Sequence, residues 1–380
     1  MEKIAIDLLW LRPGKVGGTE SFIRNLLDGF CKLEEEFSFM LLVSKDNGVT
    51  FEKYREDKRF DLLYADIESA DIAKRIIWQN LYQNRFLREH GFKKCFEPVY
   101  CKPWLNGGIE YTCVIHDLQA YHYPKYHPLH EVVYSRICWR MDTWNAKKMI
   151  TISNWVKEDI EKKYHRKGIK VIYNPILVHK EDVLSFAEIS DKYHVEEKNF
   201  FYTVSQMIPH KNLITLIHMM EKLVQDALAD QPKHNLPLKL VITGIKGNAA
   251  AELKKTIEEK KLQDNIILTG FVSNEERNTL YKFCHTFLFP SIFEGFGMPP
   301  IEAMFFGSNC VTTRCTSIPE VTQDAAFYVD NPFDIEEWIT QIESSITSVN
   351  EKKMDFDVYN PEVISKQYLE QIGITVQIRE

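Results

Sequence analysis

Short apolar runs alternate with segments of helical periodicity along most of the chain. In the first half, such runs predict strands at Ile4–Trp10, Phe37–Val43, Asp61–Ala65, Lys94–Glu97, Thr112–Ile115, Met149–Ser153 and Lys170–Tyr173. In the second half, they predict strands at Phe200–Ser205, Lys239–Thr243, Ile266–Thr269, Thr286–Pro290, Asn309–Thr313 and Phe327–Val329. Apolar residues at helical spacing lie between the strands, for example at 72–90, 129–145 and 154–165. The alternation predicts an α/β fold, with parallel sheets covered by helices on both faces.

The periodicity weakens over residues 176–199, which are rich in charged side chains. A chain of 380 residues is also too long for one ordinary core. We therefore expect two doubly wound, Rossmann-like domains, at 1–178 and 195–355, joined by a linker. A last helical pattern at 361–372 predicts a C-terminal helix within 356–380.

Composition narrows the class of protein. The chain is 44% hydrophobic and 27% charged, which is typical of a soluble globular protein. Its eight cysteines form no C-x-x-C pair, so zinc and a disulfide framework are not expected, and a reduced, cytoplasmic setting fits best. The net charge of −7 combines a basic first half with an acidic second half. This asymmetry indicates either an anionic partner for the first half or ordinary charge scatter.

The strongest chemical pattern follows the predicted strand that ends near Pro290. A glycine-rich turn, Gly295-Phe296-Gly297, leads into a helix that begins near Pro299. The N-terminus of a helix suits an anion such as a diphosphate, and carboxylates on either side of it suit hydroxyl groups. Two alternatives remain: a dinucleotide fingerprint, although Pro300 occupies its third glycine position, and a purely structural turn.

The segment from Glu294 to Ala303, E-G-F-G-M-P-P-I-E-A, resembles the signature of the retaining glycosyltransferases of family 4. The resemblance implies the GT-B fold, in which two Rossmann-like domains face each other across a cleft and the second binds a nucleotide sugar. It implies that Glu294 binds the hydroxyls of the donor sugar and Glu302 those of the ribose. It also implies that the segment after Glu294 lies next to the diphosphate. This segment consists of Gly295, Phe296, Gly297 and Met298.

Further segments extend the resemblance. In the first half it implies that the loop at Gly17 and Gly18 faces the diphosphate and that His116 lies near the reacting carbon. In the second half it implies that Lys211 holds the diphosphate. It also implies that three residues lie near the nucleoside: Gly244, Phe271 and Val272. A tight turn is the simpler alternative for the two glycines.

One position departs from the family pattern. Gln206 stands where similar enzymes have an arginine that clamps the diphosphate. Loss of such a charge costs a few kcal/mol of transition-state stabilisation. Either another group, such as Arg314, replaces it, or activity is weak or lost.

The function implied is transfer of a hexose or deoxyhexose, similar to mannose, rhamnose or glucose, with retention at the anomeric carbon. The resemblance implies a front-face displacement with Lys211, Glu294 and His116 at the reacting centre. No metal is expected, because no D-x-D motif lies at a predicted strand end with a carboxylate partner nearby, and no cofactor is expected. The acceptor is expected to be a glycan or a lipid-linked saccharide in surface polysaccharide synthesis. A sugar-nucleotide epimerase, a phosphorylase and a degenerate nucleotide-sugar-binding protein are the alternatives.

Basic and aromatic residues alternate between positions 74 and 104, and they suit a peripheral contact at the inner face of an anionic membrane. These residues are Lys74, Arg75, Trp78, Tyr82, Arg85, Phe86, Arg88, Lys93, Lys94 and Trp104. An amphipathic helix packed on the sheet explains the same pattern. Nucleic acid is not expected as a partner, because the second half is acidic and the pI is near 6.0.

Overall fold

The computed structural model describes residues 3–229, 231–348 and 352–374. The chain divides into two compact units. The first contains Met1–Leu177 together with the segment from Asp357 onward, and the second contains Val178–Phe356.

Within the described residues, the first unit holds one parallel sheet of seven strands in the order β3-β2-β1-β4-β5-β6-β7. The strands are β1 (Ile4–Asp7), β2 (Phe39–Val43), β3 (Phe60–Tyr64), β4 (Lys94–Glu97), β5 (Glu110–Ile115), β6 (Lys148–Thr151) and β7 (Ile169–Val171). Each overlaps a strand predicted from the sequence; β1, β2, β5 and β6 are mostly buried, whereas β3 and β7 are partly exposed.

Helices cover both faces of this sheet. They are α1 (Gly18–Lys32), α2 (Ile72–Trp78), α3 (Asn84–Glu89), α4 (Gln119–His122), α5 (Leu129–Asn145) and α6 (Asn154–Tyr164). Short 3₁₀ turns lie at Gly48–Glu56 and Pro124–Tyr126. The helix predicted at 72–90 is interrupted by a π turn at Gln79–Gln83. The buried amides of Gln79 and Gln83 both donate to Asp7 Oδ2, at 3.3 and 2.7 Å, and this tertiary contact accompanies the irregular turn.

The second unit, in its described part, holds a parallel sheet of six strands in the order β10-β9-β8-β11-β12-β13. The strands are β8 (Phe201–Val204), β9 (Leu240–Thr243), β10 (Ile266–Gly270), β11 (Thr286–Phe289), β12 (Asn309–Thr313) and β13 (Phe327–Val329). All six overlap predicted strands. The helices are α7 (Phe186–Tyr193), α8 (Leu213–Ala227), α9 (Ala250–Glu259), α10 (Asn274–Phe283), α11 (Met298–Phe305), α12 (Ile318–Val321) and α13 (Ile335–Thr347). A short 3₁₀ turn at Pro209–Lys211 precedes α8.

Helix α7 lies in the stretch that the sequence pattern assigns to a linker. Its Ile189 and Tyr193 are buried in the core of the second unit, and Phe186 packs on Phe283 with ring centroids 5.1 Å apart. Only one face of this short helix is apolar, so its charged residues conceal it in the sequence.

The C-terminal helix α14 (Pro361–Ile372) packs on α1 of the first unit. Ser365 Oγ donates to the carbonyl of Leu26 at 3.3 Å, and the carbonyl of Tyr359 accepts from Ile176 N at 2.9 Å. Residues 375–380 of the predicted C-terminal segment lie outside the described residues. In the part of the chain that the structure describes, no helix is both long enough and apolar enough to span a bilayer.

Candidate functional site

The second sheet reverses its strand order between β8 and β11, and this reversal creates a topological switch point. Because all its strands are parallel, the loops that follow β8 and β11 emerge at the same edge. The two loops are bonded to each other: Ile292 N donates to the carbonyl of His210 at 2.9 Å. In open α/β sheets, ligands bind at such a point, beyond the carboxyl ends of the strands.

An ion pair joins two predicted donor residues at this switch point. Lys211, in the loop after β8, places Nζ 2.5 Å from Oε1 of Glu294, in the loop after β11. Their side chains are only 18% and 12% exposed, so bulk water screens the pair weakly. The main chain of Glu294 is also fixed, since its N–H donates to Thr316 Oγ1 at 3.0 Å. The fold therefore brings together a cation suited to phosphate and a carboxylate suited to hydroxyls.

Helix α11 begins directly after the glycine-rich turn. Gly297 caps it with φ of 97°, a left-handed conformation that favours glycine. Ser317 Oγ stabilises the turn through contacts with the carbonyls of Glu294 and Phe296, at 2.9 and 3.0 Å. Since Pro299 and Pro300 have no N–H, Met298 is the sole donor among the first three residues of the helix. An anion at this position would meet the turn amides and the helix dipole rather than a full turn of helix amides.

Glu302 is engaged by two residues of α10 that the sequence analysis did not identify. Tyr281 Oη donates to Glu302 Oε2 at 2.9 Å, and Arg277 Nε lies 3.8 Å from the same oxygen. The nearby carboxylate raises the pKa of Arg277, and burial, reinforced by Glu302, raises that of Tyr281 well above its ordinary value. Arg277 and Tyr281 are four residues apart on the helix, a spacing that puts them on one face.

Three further predicted donor residues lie in the loops after β9 and β10, at the same edge of the sheet as the switch point. Gly244 follows β9 with φ of 141°, and a Cβ there would lie 1.8 Å from the carbonyl oxygen of Ser205, so that position requires glycine. Phe271 is largely exposed, whereas Val272 packs on the core of the unit.

The position that departs from the family pattern is exposed in the structure. Gln206 lies in the loop after β8, with its side chain in solvent. Arg314, the candidate replacement, places Nε 2.8 Å from Asp330 Oδ1 and its guanidinium over the ring of Tyr328. The structure therefore engages Arg314 on the β12–β13 side of the sheet.

The remaining predicted residues belong to the first unit. His116 follows β5 and is buried against Phe22 of α1, with ring centroids 4.8 Å apart. Its Nε2 lies 2.8 Å from the carbonyl of Pro98, which can only accept, so Nε2 carries the proton. Burial lowers the pKa of His116 to about 4, and the imidazole is neutral at pH 7. Gly17 caps α1, and Gly18 is its first residue.

The first sheet has its own switch point, between β1 and β4, where the strand order also reverses. Asp7 and Glu97 end these two strands and are fully buried. Leu9 N donates to Asp7 Oδ1 at 2.9 Å, and Cys101 Sγ lies 3.3 Å from Glu97 Oε1. Burial and the neighbouring carboxylate of Asp7 raise the pKa of Glu97 well above its ordinary value, and burial also raises the pKa of Asp7. Sequence reasoning missed this pair, although both residues end apolar strands.

Two doubly wound parallel sheets, each with a switch point, define the GT-B class of fold. Residues 185–362 match the model of the family "Glycosyl transferases group 1". The chain is 30% identical over 256 residues to the O-antigen chain mannosyltransferase RfbU of Salmonella typhimurium, covering 65% of this chain and 66% of the relative. It is 27% identical over 225 residues to the O-antigen chain mannosyltransferase B of Escherichia coli, covering 58% and 57%. The matches thus span less than two thirds of each relative.

Solved structures share the whole fold. The complex of Anabaena HepE with UDP and glucose superposes with a TM-score of 0.66 at 15% identity, covering 97% of this chain and 95% of that one. WaaG, a glycosyltransferase involved in lipopolysaccharide biosynthesis, superposes with a TM-score of 0.65 at 14% identity and the same coverage. Through its fold and the match over residues 185–362, the chain is similar to the group 1 glycosyltransferases.

Proposed function

We propose that this protein transfers a hexose from a nucleoside diphosphate to a glycan or a lipid-linked saccharide, with retention at the anomeric carbon and without a metal ion. The observation that carries the proposal is the ion pair of Lys211 and Glu294 at the switch point of the second sheet. Mannose is the sugar that we favour, since the two relatives described above are named as O-antigen mannosyltransferases. Their names also favour a role in surface polysaccharide synthesis.

The leaving diphosphate needs positive charge as the glycosidic bond breaks. Lys211 and the dipole of α11 supply it in this proposal, in a partly dry site where charge stabilisation is strong. Glu294 accepts hydrogen bonds from the sugar hydroxyls and, through its ion pair, holds Lys211 in position. Glu302, oriented by Tyr281, accepts from the ribose hydroxyls. The leaving phosphate itself assists deprotonation of the acceptor, so the protein contributes position and charge.

Nucleotide binding tests the donor site directly. UDP, GDP, dTDP and ADP are compared by thermal shift on the wild type, on Glu302→Ala and on Glu258→Ala, an exposed glutamate of α9 that serves as control. At about 100 times its dissociation constant, a ligand adds about 2.7 kcal/mol to the free energy of unfolding. We expect one nucleotide to stabilise the wild type and the control but not Glu302→Ala. If none of the four nucleotides stabilises the wild type, the proposed donor site is wrong.

Transfer is tested next, with the nucleotide that binds. Its mannose ester and its glucose ester are supplied with membranes that contain lipid-linked saccharides, and the product's anomeric configuration is read by NMR. A retained mannosyl linkage supports the proposal. Donor binding without transfer or hydrolysis would instead support a degenerate nucleotide-sugar-binding protein. The presence of Gln206 in place of the expected arginine is the observation in favour of that alternative.

A further inference from the structure

Helix α5 of the first unit exposes a row of large apolar side chains. Leu129, Val133, Ile137 and Trp144 are all exposed, and their spacing of four, eight and fifteen residues puts them on one side of the helix. Trp139, on another side, is buried in the core of the unit. An apolar row of this extent on a helix surface marks an interaction site.

The row continues beyond the end of α5 onto a neighbouring loop. Asn145 Nδ2 donates to the carbonyl of Trp104 at 2.8 Å, and Trp104 N donates to Asn80 Oδ1 of the π turn at 2.9 Å. The loop therefore connects the end of α5 with the π turn. Large apolar residues are exposed on all three segments: Trp144 (64%) at the end of α5, Leu105 (66%) in the loop, and Leu81 (68%) and Tyr82 (54%) in the π turn.

Arginines accompany the apolar row on α5. Arg136 and Arg140 are exposed and, by helical spacing, lie among Val133, Ile137 and Trp144. Within the described part of the chain, no ion pair engages either guanidinium group. Arg136 lies over the ring of Tyr121, 4.9 Å from its centroid, and the Nζ of Lys163 lies 3.6 Å from the same centroid. The apolar row is therefore bordered by positive charge.

We propose that this surface, named the α5 surface and made of Leu81, Leu105, Val133, Ile137, Trp144 and the two arginines, binds an anionic lipid bilayer. Apolar side chains that alternate with unpaired cations suit the boundary between headgroups and acyl chains, where Trp also prefers to lie. A second copy of this chain fits less well, because a two-fold contact through this face would bring like charges together. The basic first half of the sequence agrees with an anionic partner.

The structure also changes the membrane contact that the sequence suggested at 74–104. Arg75 is buried and donates to the carbonyl of Trp10 at 3.0 Å, and Trp78 and Phe86 pack on the core. On the exposed side of this segment, Lys74 and Arg85 are paired with Asp71 and Glu89. The apolar residues near this segment that join the α5 surface are Leu81 and Leu105.

Flotation with vesicles tests the proposal on the full-length protein. Wild type is mixed with vesicles of phosphatidylcholine alone and with vesicles that contain one third phosphatidylglycerol. We expect binding to the anionic vesicles, weakened by salt, and little binding to the neutral ones. Each basic residue at such a surface contributes about fivefold in affinity, so Arg136→Gln/Arg140→Gln should lower the partition coefficient about thirtyfold. Leu81→Ser/Trp144→Ser should also reduce binding.

Matched controls lie on the second unit. Leu228→Ser removes an apolar residue that is more exposed than Leu81 or Trp144, and Lys254→Gln/Lys255→Gln removes two exposed cations. Both controls should bind vesicles as the wild type does. The proposal is wrong if wild type ignores anionic vesicles, if the α5 variants bind like wild type, or if Trp144→Ser instead dissociates a dimer in solution. These vesicles carry no acceptor and need no donor, so their result is independent of the nucleotide thermal shift.

Discussion

The ion pair at the switch point leads to two substitutions with opposite expected effects on diphosphate binding. Lys211→Met removes the cation that we assign to the diphosphate. Glu294→Gln removes the carboxylate 2.5 Å from that cation and keeps the shape of the side chain. If both residues contact the donor as proposed, the first variant binds nucleoside diphosphates more weakly and the second binds them more tightly.

The magnitudes follow from charge and burial. Two unit charges about 4 Å apart interact by about 4 kcal/mol at an effective dielectric constant of about 20. Roughly half of that is offset when Lys211 exchanges part of its pairing with Glu294 for a phosphate. We therefore expect Lys211→Met to lose about 2 kcal/mol, or about thirtyfold in Kd. Glu294 is assigned to the sugar hydroxyls and not to the phosphate, so its neutralisation should gain a smaller amount, about 1 kcal/mol or about fivefold.

Isothermal titration calorimetry at fixed ionic strength measures these affinities. Each variant is titrated with the nucleoside, the nucleoside diphosphate and the nucleotide sugar. The nucleoside alone should bind both variants and wild type equally. Glu294→Gln should also lose the preference for nucleotide sugar over nucleoside diphosphate, because Glu294 is assigned to the sugar hydroxyls. Equal weakening of all three ligands by both variants would refute the assigned roles and indicate that the pair only stabilises the loops.

Three further predictions concern single contacts. Tyr281→Phe should weaken nucleotide binding about tenfold, and less so for the 2′-deoxynucleotide, because the hydroxyl that orients Glu302 is lost; calorimetry with both nucleotides checks this. The raised pKa of Glu97 means that its stabilising contribution is complete below about pH 4.5 and is lost as pH rises through the folded-state value. The free energy of unfolding, measured by urea denaturation, should therefore fall less in Glu97→Gln than in wild type when the pH is raised from about 5 to about 9. Ser153→Ala removes the 3.2 Å cap contact with Val156 N at the start of α6 and should cost about 1 kcal/mol in the same denaturation assay.

The strands could be predicted from the sequence because each is a local feature. An apolar run such as Leu240–Thr243, which is fully buried in the structure, can be recognised from its own residues. The turns that flank such a run can also be recognised from their own residues. The cap at Ser153 is local for the same reason, since its Oγ accepts from Val156 N, only three residues further along the chain. Irregular elements depend on distant residues instead. The π turn at Gln79–Gln83 interacts with Asp7, more than seventy positions earlier, so no local pattern predicts it.

The same distinction applies to the candidate site. Glu294 and Glu302 could be found from the sequence because their spacing around a glycine-rich turn is a local pattern. The residues that engage them could not, since Lys211 lies 83 positions from Glu294 and Tyr281 lies 21 positions from Glu302. Sequence comparison suggested Lys211 but gave no reason to connect it with Glu294.

The balance of charges at the switch point determines how strongly the missing arginine affects diphosphate binding. A diphosphate that approaches Lys211 also approaches Glu294, so the ion pair itself offers little net positive charge. Similar enzymes are expected to add an arginine here, whereas this chain has the neutral Gln206 and engages Arg314 with Asp330. The helix dipole of α11 is then the main uncompensated positive field, and the two prolines in its first turn limit the amides through which it acts. Because no arginine adds to this field, a change in the charge of either Lys211 or Glu294 should alter diphosphate affinity more in this protein than in a relative that retains the arginine.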